Sequence, residues 1–489
     1  MGDTKEGWPG ETDTFPGESR PVTSSTDTSL WKMWGEMINN TSLHGVSKIS
    51  RGKTICHGVF WAVMTSVMLA LLITVFVLYS LDYFLYETLI KRNFKAAAEL
   101  EFPSVTVCNL SPINISSINQ SDALNWYFLA THVFGRFDLS EQFNTSDPRF
   151  SVLHEKRNDS WLGHTAFNKS CVYYIEFGGV RLSTQSYIKY RVTDAGMCFS
   201  FNGPSQTPPL VSKMIGSRRG LTMFVYIDQD NYIFPENMGA GLKVAIHDRN
   251  VEPNMEENSF LVSSGTVTYV PIIKREYTFL KKPYKAFGDK YCIDNNDPDF
   301  QNPLKYYHNY SLFACLRECR ARYIFKVCTC RHINDFGEEE ICTFAQEYNC
   351  VKDAKDQFDG DFSLQQACEC PQMCKLVSFD KQLSFARLPS EKYQRYFESV
   401  KINDIHKNHI ELRFFYETFV VESVEQVSKI ELSSVLGNVG GYLGIFLGAS
   451  ILTLTEWIEF FALALYVLIR RMLRWTKCNV ISSERADKN

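Results

Sequence analysis

Two carboxylates sit where an ionised group is costly. Glu456 and Glu459 interrupt an otherwise apolar run from Leu432 to Ile469, and residues three apart on a helix share one face. A carboxylate facing lipid costs about 3 kcal/mol, so the pair is expected to face a bundle interior or an aqueous path. The plainer alternative is that it marks the cytoplasmic end of an ordinary membrane helix. Gly437, Gly440, Gly441, Gly444 and Gly448 lie in the same run. A glycine inside a helix is about 1 kcal/mol less favourable than an alanine, so the run is expected to break or extend within the membrane. Backbone freed at that depth must be sheltered by protein or line water.

Cysteine is the second group with chemical potential. Of 15 cysteines, 13 lie between Cys108 and Cys374, a density that points to an oxidising compartment. In SLFACLRECRARYIFKVC (311–328), Cys315 and Cys319 stack on one helix face; Cys368 and Cys370 share a face if their segment is extended. Two rungs of a disulfide ladder would fit. Zinc is the rival for the run from Cys328 and Cys330 through Cys342, Cys350, Cys368 and Cys370 to Cys374. The C-x-C spacing, however, is not the usual C-x2-C knuckle. Thirteen is odd, so one cysteine lacks a partner or pairs with another chain. There is no Walker loop, H-E-x-x-H or G-x-S-x-G, and GNVGGYLG (437–444) lies in an apolar segment where a phosphate has no place. His406 and His409 read as a solvated turn. Neither an enzyme nor a metal site is expected.

The elements that position these groups follow from composition and period. With 51 basic against 55 acidic side chains, a net charge of −4 argues against nucleic acid as a partner. Residues 54–81 carry no charge and as a helix would rise ~42 Å, more than the ~30 Å of bilayer hydrocarbon. A signal peptide competes for this segment, but it starts late, is too long and lacks a small-x-small site. Residues 54–82 are therefore read as a first membrane helix and 432–469 as a second, broken one, since 38 residues of straight helix would span ~57 Å. Lys48, Arg51 and Lys53 precede the first, and Arg470, Arg471, Arg474 and Lys477 follow the second. Both termini (1–53 and 470–489) are thus expected in the cytoplasm and residues 83–431 outside. Sequons at Asn109, Asn114, Asn119, Asn144, Asn158, Asn168 and Asn309 agree with that side. The first 30 residues read as a disordered tail. Strands are expected at 221–234, 242–247, 266–273 and 410–423, and helices at 311–328 and 390–400. The class is α+β.

Four spaced motifs resemble the degenerin, epithelial sodium channel and acid-sensing ion channel superfamily over about 42–471. SLHG (42–45) is similar to the gating motif before the first span, centred on His44 and Gly45. FPSVTVCN (102–109) is similar to the post-membrane signature, and Gly448-Ala449-Ser450 to the G-x-S selectivity motif. The cysteine-rich run matches the thumb. The resemblance implies a trimer of identical or homologous subunits in the plasma membrane, each a palm, finger, knuckle, β-ball and thumb (about 292–375) on two helices. It implies bridges Cys108–Cys198, Cys292–Cys374, Cys315–Cys370, Cys319–Cys368, Cys328–Cys350 and Cys330–Cys342, with Cys171 left over. Three copies of residues 448–450 would offer carbonyl or hydroxyl oxygens in place of a cation's water shell. Glu456 and Glu459 would add acidic rings that concentrate cations and exclude anions. Gly437 falls at the degenerin position, where a bulky side chain holds the gate open; plain helix packing is its alternative.

The implied activity is an amiloride-sensitive, sodium-selective channel without a cofactor, opened by an extracellular ligand, with calcium as a possible modulator. Protons need carboxylates crowded until their pKa rises toward neutrality. Here YFLYETLIKRNFK (83–95) has no His and Asn93-Phe94 where acids are expected, and NYIFPENMGAG (231–241) keeps only Glu236, although Asp353 and Asp356 remain in the thumb. A peptide ligand therefore ranks ahead of protons, with a constitutive channel third. A non-conducting two-span receptor, which would need neither the glycines nor the carboxylates, is the rival from another class.

Overall fold

Thr54 is extended (φ −134°, ψ 150°), and the uncharged run behind it forms one helix, Ile55–Phe84, of 30 residues with none of them buried within the chain. An apolar helix without a buried face needs a lipid or protein partner. Its length and composition suffice to cross a membrane, as do those of Ile451–Arg470. The computed structural model describes residues 30–50, 54–119, 121–129, 148–165, 171–233, 239–401 and 404–486. Glu236, Asn144, Asn168 and the tail before Leu30 lie outside them.

The chain divides into two units, residues 1–85 with 430–489, and residues 86–429. In the first, the second membrane segment is a helix, Leu432–Leu447, then Gly448-Ala449-Ser450, then a helix from Ile451 to Ala486. It thus breaks where the glycines predict, but continues well past Ile469. Asn438 Nδ2 donates to Tyr79 Oη at 2.8 Å, joining it to the first membrane helix. Two further helices, Leu30–Asn40 and Val46–Ser50, precede the first span where the sequence reading has none.

The second unit is built on a nine-stranded sheet. Thr266–Thr278 is its spine. One edge pairs in parallel with His409–Tyr416 and then Val420–Ser428, the other antiparallel with Ser384–Arg387 and Lys375–Lys381. The expected strand at 410–423 is therefore two strands. Their register is interrupted between Tyr416, opposite Ile272, and Glu422, opposite Arg275. Leu221–Tyr226 is shorter than expected because Asp228 turns the chain into the left-handed region (φ 54°), a conformation aspartate tolerates. Thr88–Ala96 pairs antiparallel with Val420–Ser428, from Thr88 opposite Ser428 to Ala96 opposite Val420. These two strands are the nearest in the chain to the membrane helices. A five-stranded sheet stands beside the large one, and Phe102, Val107, Phe201, Met223, Leu412 and Phe414 fill one core with both.

Ser311 caps the helix Leu312–Cys328, its Oγ accepting from Ala314 N–H at 3.1 Å, and Thr329 ends it at φ 57°. That helix carries the ladder: Cys315 bonds Cys370 and Cys319 bonds Cys368. The partner segment is not extended, as its i, i+2 spacing suggests. It is a turn after the helix Phe362–Gln366, with Glu369 at φ 49° between the two cysteines. Cys328–Cys350, Cys330–Cys342, Cys292–Cys374 and Cys108–Cys198 are also closed. The spacing of the run thus serves disulfides, and no cluster able to hold a metal occurs among the described residues. The helix expected at 390–400 is Glu391–Ser399.

Candidate functional site

Three residues turn one membrane helix into two, and each does so by a local rule. Gly448 adopts φ 60°, ψ 22°, the left-handed conformation that ends helices and that glycine enters without a Cβ penalty. Gly448 N–H donates to Gly444 O at 2.9 Å and Ala449 N–H to Leu443 O at 3.2 Å, closing the last turn. Ser450 opens the next helix: its Oγ accepts from Thr453 N–H at 3.3 Å, while Thr453 Oγ1 accepts from Ser450 N–H at 3.2 Å. This reciprocal pair satisfies two of the donors a helix start leaves orphaned.

The loop before the first membrane helix braces that break. His44 N–H donates to Leu447 O at 3.1 Å, and a Cβ at Gly448 would overlap the His44 imidazole. Glycine is required here twice over, by φ and by space. Gly45, at φ 91°, has the same double constraint: a Cβ there would stand 2.5 Å from Thr65 Oγ1 on the first membrane helix. Gly45 O then accepts from Lys48 and Ile49 N–H at 3.1 and 3.2 Å, starting the short helix Val46–Ser50. His44 thus contacts the second span and Gly45 the first.

Glu456 is not the bare carboxylate the sequence suggests. Its Oε2 accepts from Ser42 N–H at 3.1 Å, Ser42 Oγ at 3.3 Å and Thr41 Oγ1 at 3.4 Å, while Ser42 Oγ also meets the buried Thr453 Oγ1 at 2.7 Å. Glu459 is exposed. The two acids therefore differ in surroundings, and their neutral variants are expected to separate. Glu456→Gln keeps the shape but loses charge-assisted bonds, each worth about 1.5–3 kcal/mol, and should alter open probability. Glu459→Gln should leave open probability unchanged and lower unitary sodium conductance. Single-channel recording reads both, and identical effects from the two variants would refute the division.

Thr41 and Thr453 belong to no motif, and Ser42, although it opens SLHG, carries no sequence signal that it meets Glu456. Thr41, Ser42 and Thr453 are ordinary hydroxyl residues, and Trp34 packs against Trp457 and Phe460 with centroids 6.1 and 5.3 Å apart. A signal for Trp34 was present, since Leu30, Met33, Trp34, Met37 and Ile38 follow helical spacing. Gly437 lies in the second turn of Leu432–Leu447, exposed, and a Cβ added there would meet nothing within 4 Å.

In the second unit, Asp353 and Asp356 are exposed on the helix Lys352–Gly360. Buried charge is found elsewhere: Arg317 meets Glu252 at 3.1 Å and Asp335 at 3.6 Å. Burial pushes the Glu252 carboxyl up, against the pull of Arg191 and Arg317. Along Thr88–Ala96 and Val420–Ser428 the pairs are of opposite sign. Arg92 and Arg275 both meet Glu422, at 3.1 and 2.6 Å, and Lys95 meets Glu425 at 2.8 Å. Of the sequons, Asn119 and Asn158 are exposed, and Asn309 is exposed with its Nδ2 donating to Asn250 O at 3.1 Å. Asn114 and Asn109 are half-buried, and Asn109 Nδ2 donates to Ile227 O at 2.9 Å, a bond that an attached glycan would displace.

Comparison with known proteins identifies a family. A family model described as amiloride-sensitive sodium channel matches residues 37–460. Acid-sensing ion channel 1 of Gallus gallus is 29% identical over 468 residues, covering 90% of this chain and 85% of that protein. Acid-sensing ion channel 2 of Homo sapiens is 29% identical over 466 residues, covering 89% and 86%. Acid-sensing ion channel 1A of Danio rerio is 28% identical over 449 residues, covering 86% of each. A solved proton-activated chloride channel covers 83% of this chain and 97% of its own at 9% identity and a TM-score of 0.26, too distant to support any argument. With a family model running from the helix before the first span into the second, this chain belongs to the amiloride-sensitive sodium channel family, whose members are plasma-membrane ion channels and not enzymes.

Proposed function

We propose that three copies of this chain, identical or homologous, form an amiloride-sensitive, sodium-selective channel opened from outside, with both termini in the cytoplasm. The observation that carries the reading is the break at Gly448–Ser450, closed by a glycine cap and a serine cap and braced from behind by His44. Around a threefold axis such a break brings short backbone segments together, and their carbonyl and hydroxyl oxygens replace part of a sodium ion's water. Glu459 rings raise the local cation concentration. In the 86–429 unit, the palm corresponds to the large sheet and the thumb to the disulfide-stapled helices. Movement of the thumb on ligand binding passes through Thr88–Ala96 and Val420–Ser428 to the spans.

The stimulus has two readings. The relatives' names, acid-sensing ion channels, favour protons. Opposite-charge pairs on the membrane-proximal strands, and exposed Asp353 and Asp356, favour a peptide or other small ligand. The deciding experiment is the amiloride-subtracted sodium current from cells expressing the chain alone, recorded through an external acid step. A transient inward current establishes proton gating; acid silence with the protein at the surface and a current evoked by peptide establishes peptide gating. A standing current that acid reduces refutes both.

The Lys95–Glu425 pair supplies a sharper test. Their hydrogen bond is the main cause that raises the Lys95 ammonium and lowers the Glu425 carboxyl from ordinary values of 10.5 and 4.5. A depressed carboxylate is lost only as pH falls through its folded value, and a raised ammonium only as pH rises through its own. The pair therefore stays charged throughout that window. Lys95→Glu would place like charges together and raise one carboxyl toward neutrality. The variant is expected to gain an acid-dependent component of current between about pH 5 and 7. An unchanged pH profile would remove these strands from the gating path.

A further inference from the structure

The 86–429 unit contains a cavity of about 270 Å³ whose walls are aromatic and whose mouth is charged. Tyr127, Phe128, Trp161, Phe344 and Tyr348 form the walls. Such a cage commonly suits a cation, because ring faces are electron-rich. Here the cation is already present. The Arg157 guanidinium lies 4.3 Å from the Phe344 ring centroid and 5.4 Å from that of Trp161, and donates to Cys342 O.

The interior carboxylate is equally committed. Glu347 Oε1 accepts from Arg157 at 3.1 Å and from Ile333 N–H at 3.2 Å, while Oε2 meets His332 Nδ1 at 2.6 Å. Burial disfavours its charge, but His332 and Arg157 outweigh burial and hold the carboxyl below its usual range. A cationic ligand would therefore find the Phe344 and Trp161 faces taken by Arg157 and the interior counter-charge spent.

The mouth has a different balance. Lys355 is engaged by Glu256 at 3.7 Å. Lys352 is exposed, and its ammonium stands 5.5 Å from the Tyr348 ring centroid. Asp356, one turn further along the same helix, is exposed on the same rim. The geometry points to a binding site for a small organic anion: a single aromatic ring seated against Tyr127, Phe128 and Tyr348, with a carboxylate directed to Lys352. The volume, just under the roughly 300 Å³ at which small-molecule sites begin, limits the ligand to about one ring and a short chain. A link between this site and the pore rests on the ligand-gated reading above; binding itself does not.

The test uses the full chain, purified into lipid nanodiscs, with 3-phenylpropionate as probe and its neutral amide and the corresponding amine as controls. Calorimetry or ligand-observed NMR measures binding. 3-Phenylpropionate is expected to bind several-fold more tightly than the amide, and the amine more weakly still. Lys352→Gln should weaken binding of the acid about threefold to tenfold and Asp356→Asn should strengthen it, both at exposed positions that do not disturb folding. Equal binding of the three probes, preference for the amine, no binding of the acid at millimolar concentration, or indifference to both variants would each overturn the site. Current recorded from the same variants separates the two levels. Binding that follows the charge rule without any change in current keeps the site and removes its role in gating. Normal current without binding removes the site and leaves the channel.

Discussion

Gly448→Ala is expected to cut the sodium current about tenfold or more while the protein still reaches the cell surface. Two penalties combine. An L-residue with a Cβ at φ 60° costs about 1 kcal/mol or more relative to glycine, and the new methyl would overlap the His44 ring. Neither penalty is felt in the 86–429 unit, so assembly and surface delivery should persist. The two penalties can be told apart by a second substitution. His44→Ala alone removes the brace behind the break and should reduce current; in the Gly448→Ala background it removes the overlap and should restore part of what was lost. The double variant is therefore expected to conduct better than the product of the two single effects predicts, the sign of direct coupling. Surface-normalised current from the four proteins measures it. Independent effects would mean that His44 does not back Gly448 in the conducting molecule.

Gly437→Phe is expected to do the opposite and leave a standing, amiloride-blocked current without any stimulus. The position lies on an exposed face of Leu432–Leu447, and a Cβ added there meets nothing within 4 Å in the single chain. In a trimer, three such rings near the axis cannot pack where three glycines did, and the closed arrangement is the one penalised. Thiol modification of Gly437→Cys by a positively charged reagent should lock current on within the time of reagent application. If both variants gate normally, Gly437 is a helix-packing glycine and the constriction lies elsewhere.

Much of this protein was legible in its sequence because the relevant signals are local. Apolar length marked two candidate membrane helices, since burying backbone in lipid demands a helix of sufficient rise. Clustered glycines foretold the break, because a glycine at the left-handed position closes a helix whatever surrounds it. Cys315 and Cys319, four apart, declared one side of the ladder; their partners' spacing suggested an extended segment, yet a left-handed Glu369 makes it a turn. The strand at 410–423 failed for a related reason: hydrophobic pattern does not reveal that Thr266–Thr278 takes two successive partners along one edge.

What tertiary structure alone decided concerns groups distant in sequence. Glu456 and Glu459 are alike in one dimension, but Ser42, 414 residues away, occupies one and leaves the other exposed. Asp353 and Asp356 read, with Glu236, as candidates for sensing a ligand or protons, and only the fold shows both aspartates exposed on the helix Lys352–Gly360. The aromatic cavity has no motif at all, because its walls come from separate segments and its character depends on Arg157 lying inside it. Hydrophobicity, capping and chirality act between neighbours and so can be read along the chain. Pairing of charges and closure of cavities depend on which segments meet, and that is fixed only when the whole chain packs.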